Sequence, residues 1–429
     1  MYDLAIIGAG WAGFNAALAA KEFNLKICLI DKGPLGGVCL NQGCIPTKTL
    51  IQSAKVYSLI KKSSQFGIEV DPPKLDFNKI QERKDKIIAG LGQGMKFMLK
   101  GVDFIKSGAQ LISADQIKVD QGVIQAKNII IATGSSPIEL AGLKFNQGNL
   151  VSSSQLLNVK SIPEKLLVIG AGVIGCEFAG LFSQFGSQVT LVEKTNQILP
   201  GMDADIARKL ENVFKKSGIE VKTGIEVSEN DTRNYTLALL CVGRAADFSS
   251  LGVQAAEVRL KSNKIEVDEY LRTSVANIYA AGDCAAKYML AHYAAYQGRL
   301  AVENIFSARK IKADNQVVPN CIFTQPQICA VGLSQKEAQD SGLKIRIHKF
   351  DYLASGAARI LDQADGFIKA ISDQDSGRIL GVSLIGPEAC ELSAVFSVAI
   401  SSRLSVEDFR KMIFAHPTLA ESAQECLNS

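Results

Sequence analysis

Leu4-Ala5-Ile6-Ile7-Gly8-Ala9-Gly10-Trp11-Ala12-Gly13 is followed by a small-residue run to Glu22 and then by Lys26-Ile27-Cys28-Leu29-Ile30-Asp31. Four apolar residues in a row suit a short strand buried on both faces. The run from Trp11 suits a helix, and residues 26–30 suit a second strand that ends on an acid. Strand, glycine turn, helix and strand-end acid together form a dinucleotide-binding fingerprint. The first two glycines let backbone approach a pyrophosphate, which then sits at the positive end of the helix. Asp31 stands where a ribose hydroxyl would be bound.

The pattern recurs. Residues 166–169 read as a strand, Gly170-Ala171-Gly172-Val173-Ile174-Gly175 as the turn, and residues 188–192 as a strand ending at Glu193. Gly8 to Asp31 and Gly170 to Glu193 span the same interval, 23 residues. Two copies predict two nucleotide-binding domains holding different cofactors. An acid rather than an arginine at position 193 favours a free 2′-hydroxyl, hence NAD over NADP.

The remainder falls into place around these copies. Helices are expected at residues 49–64 and 78–100, broken by Asp71-Pro72-Pro73. A strand at 128–131 opens onto Ala132-Thr133-Gly134, and Ser161-Ile162-Pro163 leads into the second copy. A helix over 203–217 is capped by Asp203 and stopped by Gly218. A strand at 277–280 ends at Ala281-Gly282-Asp283, and a carboxylate there sits where an open sheet binds its ligand. Past residue 313 the character changes: strands 366–371 and 378–384 form a hairpin around 373–377, followed by helical runs. That segment reads as an antiparallel sheet with helices, an interface module.

With 429 residues, two or three domains are expected. Hydrophobic residues make up 47% and charged residues 21%, as in soluble globular proteins. A net charge of +4 without basic runs argues against nucleic-acid or membrane partners. Residues 4–20 are apolar enough for a signal-peptide core, but the first Lys or Arg is Lys21, and glycines 8, 10 and 13 interrupt the run. The ten cysteines therefore read as reduced, cytoplasmic thiols. Cys28, Cys176, Cys241, Cys321, Cys329 and Cys390 lie among apolar residues and read as core. No Cys/His spacing suggests zinc.

Cys39 and Cys44 differ, within Leu35-Gly36-Gly37-Val38-Cys39-Leu40-Asn41-Gln42-Gly43-Cys44-Ile45-Pro46-Thr47-Lys48. Five residues of regular helix rise about 7.5 Å, whereas a disulfide needs Cα atoms within about 7 Å. Bonding the pair requires a distorted turn, and Gly36, Gly37 and Gly43 supply the freedom. Two readings stand: buried structural thiols, or a strained and reducible redox pair. A disulfide in a reducing compartment points to catalysis.

With the tail motif His416-Pro417-Thr418-Leu419-Ala420-Glu421, the cysteine motif resembles that of the flavin disulfide reductases, the class I flavin-dependent pyridine nucleotide-disulfide oxidoreductases. The resemblance runs essentially end to end. Glutathione and trypanothione reductases are similar too. Cys44-Ile45-Pro46-Thr47-Lys48, Glu193 and the tail leucine fit the lipoamide branch better, and the terminal cysteine pair of mercuric reductases is not in this tail. The resemblance implies an α/β fold: two Rossmann-like domains, for FAD and NAD, plus a C-terminal α+β dimerisation domain. The FAD domain would span 1–145 and 275–315, the NAD domain 146–274 and the interface domain 316–429.

It also implies roles. Cys39 would exchange with the dithiol substrate and Cys44 would be the charge-transfer thiol against the flavin. Lys48 would pair with Glu177 near the flavin. His416, held by Glu421, would be the base supplied by the partner subunit. A thiolate is the nucleophile in exchange, and histidine titrates in the right range to generate it. FAD would be held by Gly8, Gly10, Gly13, Asp31, Lys48, Thr133, Gly134 and Asp283; NAD by Gly170, Gly172, Gly175, Glu193 and Gly243. Of the other histidines, His348 reads as structural, and His292, in a Met-Leu-Ala-His motif, as a positioning residue at most. The implied activity is oxidation of protein-bound dihydrolipoamide with reduction of NAD, in a homodimer serving a 2-oxoacid dehydrogenase or glycine cleavage system. Reduction of another small disulfide, or a flavoprotein sensor or scaffold, are the alternatives. The chain departs from the family at Gln297 (usually glutamate), Val38 (threonine), Ala245-Ala246 (Pro-Asn) and in its short stretch 219–242, which puts NAD affinity in question.

Overall fold

The computed structural model describes residues 1–145 and 148–429. Residue 146, the expected start of the second domain, lies outside the described residues.

The first fingerprint folds as β1 (Tyr2–Ile7), α1 (Trp11–Lys21) and β2 (Ile27–Asp31). Five parallel strands form the body of a seven-stranded sheet, in the order Asp103–Lys106, β2, β1, Gly122–Ile131 and Ile278–Ala280. The last of these arrives only after the chain has built the second nucleotide fold. Alternation along the strands feeds two cores. Leu4, Ile6, Leu29 and Ile130 pack with Ala16, Leu300 and Ala301 on one face, while Ala5, Ile7, Ile30 and Ile131 pack on the other. The strand expected at 128–131 is the end of a ten-residue strand whose first half pairs antiparallel with Gln116–Val119.

The second sheet is wholly parallel, in the order Glu220–Thr223, Gln188–Glu193, Lys165–Ile169, Leu237–Leu240, Leu150–Val151. Thr223 and Leu237 are joined through one short helix, Glu229–Thr232, so the shortened stretch costs the five-stranded sheet nothing. As expected, Asp203 caps helix Ala204–Lys216, its carboxylate accepting from Asp205 N, and Gly218 follows with φ +81°.

The C-terminal sheet is antiparallel: Asn320–Ile322, Gln327–Gly332, Ile379–Gly386, Phe367–Asp373, Ile345–Asp351. Helices Ala389–Ser401 and Glu421–Asn428 cover it. Buried Lys369 ties this sheet to the second fold, reaching Asp203 at 2.6 Å and Asp205 at 3.1 Å.

The redox motif folds as two helices, α2 (Gly37–Gln42) and α3 (Cys44–Lys61). Between them Gly43, at φ −145° and ψ −109°, breaks the helix, which is the distortion that a Cys39–Cys44 bond demands. The helix expected from residue 49 therefore begins at Cys44. Thr47 closes the first turn of α3 by donating its Oγ1 to Gly43 O at 2.6 Å. The next long helix, α4 (Phe77–Met98), is capped by Asp76.

Candidate active site

A cavity of about 1670 Å³ lies between the two nucleotide folds. From the first fold Gly10, Asp31, Cys39, Cys44, Lys48, Thr133, Gly134 and Asp283 line it; from the second, Gly170, Gly172, Glu177, Glu193 and Gly243. Gly8, Gly13, Gly175, His416 and Glu421 do not.

The glycines divide into two kinds. A side chain at Gly10 or Gly172 would meet no protein atom within 4 Å, so both leave the turn open towards the cavity. A Cβ at Gly13 would stand 1.8 Å from Gly8 O, and one at Gly175 1.9 Å from Gly170 O. These two close the helix onto its own turn. Gly8 is a correction to the sequence reading: at φ +107° its Cβ would lie 2.2 Å from Ala132 O, so it serves the tight turn and not the approach of a phosphate. With helix N-termini behind both open turns, the residues fit a pyrophosphate in each fold.

Asp31 accepts from Ala9 N at 2.6 Å and Gly33 N at 2.7 Å. Buried Glu193 does the equivalent, taking Ala171 N at 2.8 Å on one oxygen and Thr195 N at 2.9 Å on the other. Each acid thus fixes its glycine turn as well as facing the cavity.

The cysteine helix is seated on the first turn. Gly36 N donates to Ala9 O at 2.9 Å, and a Cβ at Gly37 would be 2.7 Å from the Cα of Gly10. Cys39 and Cys44 are both half-buried free cysteines. The neighbouring Cys39 thiol, with Lys48 one turn along α3, lowers Cys44 to about 7. Its interaction with Cys44 and burial push the Cys39 thiol up, opposed by the Trp11 indole.

Lys48 Nζ reaches Glu177 Oε2 at 2.8 Å and Oε1 at 2.9 Å, and Phe323 N donates to the same carboxylate at 2.9 Å. Burial alone would lower Lys48, but Glu177 outweighs it and holds the ammonium above the usual lysine range. Asp283 accepts from Ser135 Oγ at 2.5 Å, and Ser135 in turn takes Arg244 Nε at 2.9 Å. Gln297 is buried and accepts from Gly282 N at 2.9 Å, next to Asp283; an amide does here what the backbone requires.

His416 stands outside the cavity lining on the C-terminal domain, 81% exposed, with Nδ1 2.8 Å from Glu421 Oε2. His348 is structural as expected, buried between Ser429 O and Ser372 Oγ at 3.0 Å each. Sequence reasoning missed Trp11, Ser135 and Arg244. The signal for Trp11 was available: the chain's one tryptophan sits in a turn of otherwise small residues. Nothing local marked Ser135 or Arg244, because their partnership spans two domains. Cys241 and Cys321, expected in the core, are only half-buried.

What shares this cavity is a thiol pair and two nucleotide cradles, the arrangement of a dithiol–nucleotide oxidoreductase. The chain belongs to the pyridine nucleotide-disulphide oxidoreductase family, which residues 2–298 match, with residues 318–427 matching the family's dimerisation domain. Among its relatives are proteins named dihydrolipoyl dehydrogenase. That of Chlamydia pneumoniae is 37% identical over 98% of this chain and 95% of its own length, and that of Bacillus subtilis 35% identical over 99% and 98%. Similar solved structures include LpdA from Mycobacterium tuberculosis (TM-score 0.92, 27% identity, 99% and 98% covered). The HOCl-induced flavoprotein disulfide reductase RclA from Escherichia coli is also similar (0.90, 27%, 100% and 99%). Among the described residues, no helix is long and apolar enough to cross a membrane.

Proposed function

We propose that this chain is a dihydrolipoyl dehydrogenase, working as a homodimer on the lipoyl-bearing domain of an acyltransferase or carrier protein. The observation that carries the reading is the broken helix that presents Cys39 and Cys44 to a cavity shared by both nucleotide folds. When bound, FAD supplies the two-electron acceptor for the thiol pair and NAD the final hydride acceptor.

A substrate thiolate attacks the Cys39 sulfur of the Cys39–Cys44 disulfide, and Cys44 leaves as a thiolate. The lowered Cys44 pKa makes it the better leaving group. Lys48 holds that thiolate, and Glu177 fixes Lys48. The second substrate thiol then attacks the mixed disulfide, releasing the oxidised lipoyl ring and the Cys39 thiol. His416 of a second copy removes the substrate protons, oriented by Glu421 as a triad's acid orients its histidine. Its exposure on the C-terminal domain, away from its own cysteines, supports a shared site. Gly10, Asp31, Lys48, Thr133, Gly134 and Asp283 hold FAD, on a turn that Gly8 and Gly13 shape; Gly170, Gly172, Glu193 and Gly243 hold NAD, on a turn that Gly175 closes. The reading uses the division 1–145 with 275–315, 146–274 and 316–429.

The test is dihydrolipoamide-driven NAD reduction, assayed beside NAD(P)H-driven reduction of glutathione disulfide and other small disulfides. Turnover with dihydrolipoamide at least as efficient as any disulfide reduction is expected. Reduction of another disulfide alone would replace the proposal with the reductase alternative, and no turnover with either would leave the sensor.

A further inference from the structure

Three further sulfurs meet at the C-terminal rim of the cavity. Strands Asn320–Ile322 and Gln327–Gly332 pair with Cys321 directly opposite Cys329. Opposed residues in an antiparallel pair stand roughly 4.5–5.5 Å apart at Cα, inside the roughly 4.4–6.8 Å that a disulfide accepts. Cys390, near the start of helix Ala389–Ser401, completes the group. Its thiol faces Ile322 O at 3.8 Å and Ile328 O at 3.7 Å, and Cys321 Sγ lies 3.9 Å from Cys390 O.

Access separates the three. Cys329 and Cys390 are buried, whereas Cys321 is half-buried and lines the cavity. His292 lines the same wall, its Nε2 2.8 Å from Pro319 O. Thiol reactivity follows thiolate character and exposure. The neighbouring Cys329 and Cys390 sulfurs, helped by His292, lower the Cys321 thiol, while Cys329 and Cys390 are raised. Among the described residues no group of three His, Cys, Asp or Glu is arranged to hold a metal ion.

We propose that Cys321 is a second oxidisable thiol of this protein, reached through the cavity by hydroperoxides, and that it closes a disulfide with Cys329. The Cys321 thiolate attacks the terminal peroxide oxygen and the O–O bond breaks. Cys321 becomes a sulfenic acid, and the leaving oxygen takes a proton to give water or an alcohol. The Cys329 thiol then attacks the sulfenic sulfur, the S–O bond breaks, and water leaves with the Cys329 proton. The two thiols have supplied the two electrons that reduce the peroxide. The inference is independent of which dithiol the enzyme turns over.

The experiment reads thiols, not activity. Reduced holoenzyme is treated with hydrogen peroxide, alkylated in denaturant without reductant, and digested with trypsin. Cys321 and Cys329 share the peptide between Lys312 and Lys336, and Cys390 lies on another. The expected product is that peptide unalkylated and lighter by two hydrogens. In Cys329→Ser, Cys321 should instead be trapped by dimedone. A peptide still doubly alkylated when Cys39 and Cys44 are fully oxidised would overturn the proposal. So would a cross-link from Cys321 to the Cys390 peptide, or a dimedone-free Cys321 in the variant.

Discussion

Lys48→Met removes the cation facing Glu177 and keeps most of the side-chain volume. Glu177 is 4% exposed and accepts from Lys48 twice and from Phe323 N once. The substitution leaves a buried carboxylate with one donor. Breaking a buried ion pair on one side costs about 3–5 kcal/mol. Lys48 is itself 31% exposed, so water can replace part of the ammonium and the lower edge, about 3 kcal/mol, is expected. Glu177→Gln keeps a group that accepts from Phe323 N and leaves a lysine able to reach water, so about 1 kcal/mol is expected. The double variant buries no lone charge and should lose about 2 kcal/mol, less than the sum of the singles. Urea midpoints at fixed protein and FAD concentration measure all three, since ligand shifts apparent stability. Additivity within about 0.5 kcal/mol would refute the idea that Lys48 is what holds the Glu177 charge.

Cys44 gives a pH dependence with a definite sign. Its folded pKa, about 7, lies below the free-thiol value of 9.0, so the stabilisation is full above pH 9.0 and fades as pH falls through about 7. In reduced protein, the Tm advantage over Cys44→Ser should therefore grow from neutral to alkaline pH, and a flat difference would contradict the thiolate. Gly13→Ala should destabilise the apoprotein, its Cβ being 1.8 Å from Gly8 O, whereas Gly10→Ala should spare apoprotein stability and weaken FAD binding, as thermal unfolding and flavin titration would reveal. Glu193→Lys should shrink the NAD-over-NADP ratio of kcat/KM by roughly ten-fold, equal to about 1.4 kcal/mol; an unchanged ratio would remove Glu193 from cofactor choice. Mixing His416→Ala with Cys39→Ser subunits should restore activity in heterodimers, each holding one intact composite site, and inactive heterodimers would show that the site is not shared.

The parts legible in the sequence were those written in short range. Both glycine turns, their strands and their acids occupy consecutive stretches, so backbone periodicity alone places them. The break between Cys39 and Cys44 followed from helix rise against disulfide reach, with Gly43 beside it. Long-range relations were legible less often. That Lys48 meets Glu177, 129 residues on, came from resemblance and not from spacing. The Asp283–Ser135–Arg244 chain joins three separated segments of ordinary composition, and nothing in any one of them announces the others. Gly8 was misread for a related reason: its neighbour Ala132 arrives on another strand, so only the assembled sheet reveals the crowding. Cys321 was assigned to the core because apolar neighbours in sequence say nothing about which wall a strand end faces.

The seating of Gly37 on Gly10 makes the redox pair a passenger of the cofactor cradle. A displacement of the glycine turn is passed, backbone against backbone, into the helix that carries Cys39, with no side chain between them to absorb it. The cradle of the first nucleotide and the helix that carries Cys39 thus rest on one shared stretch of backbone contact. The second nucleotide fold grips the same machinery in two ways, through the Glu177 carboxylate on Lys48 and through the buried core that Leu50 and Ala54 of α3 share with Phe178 and Phe182.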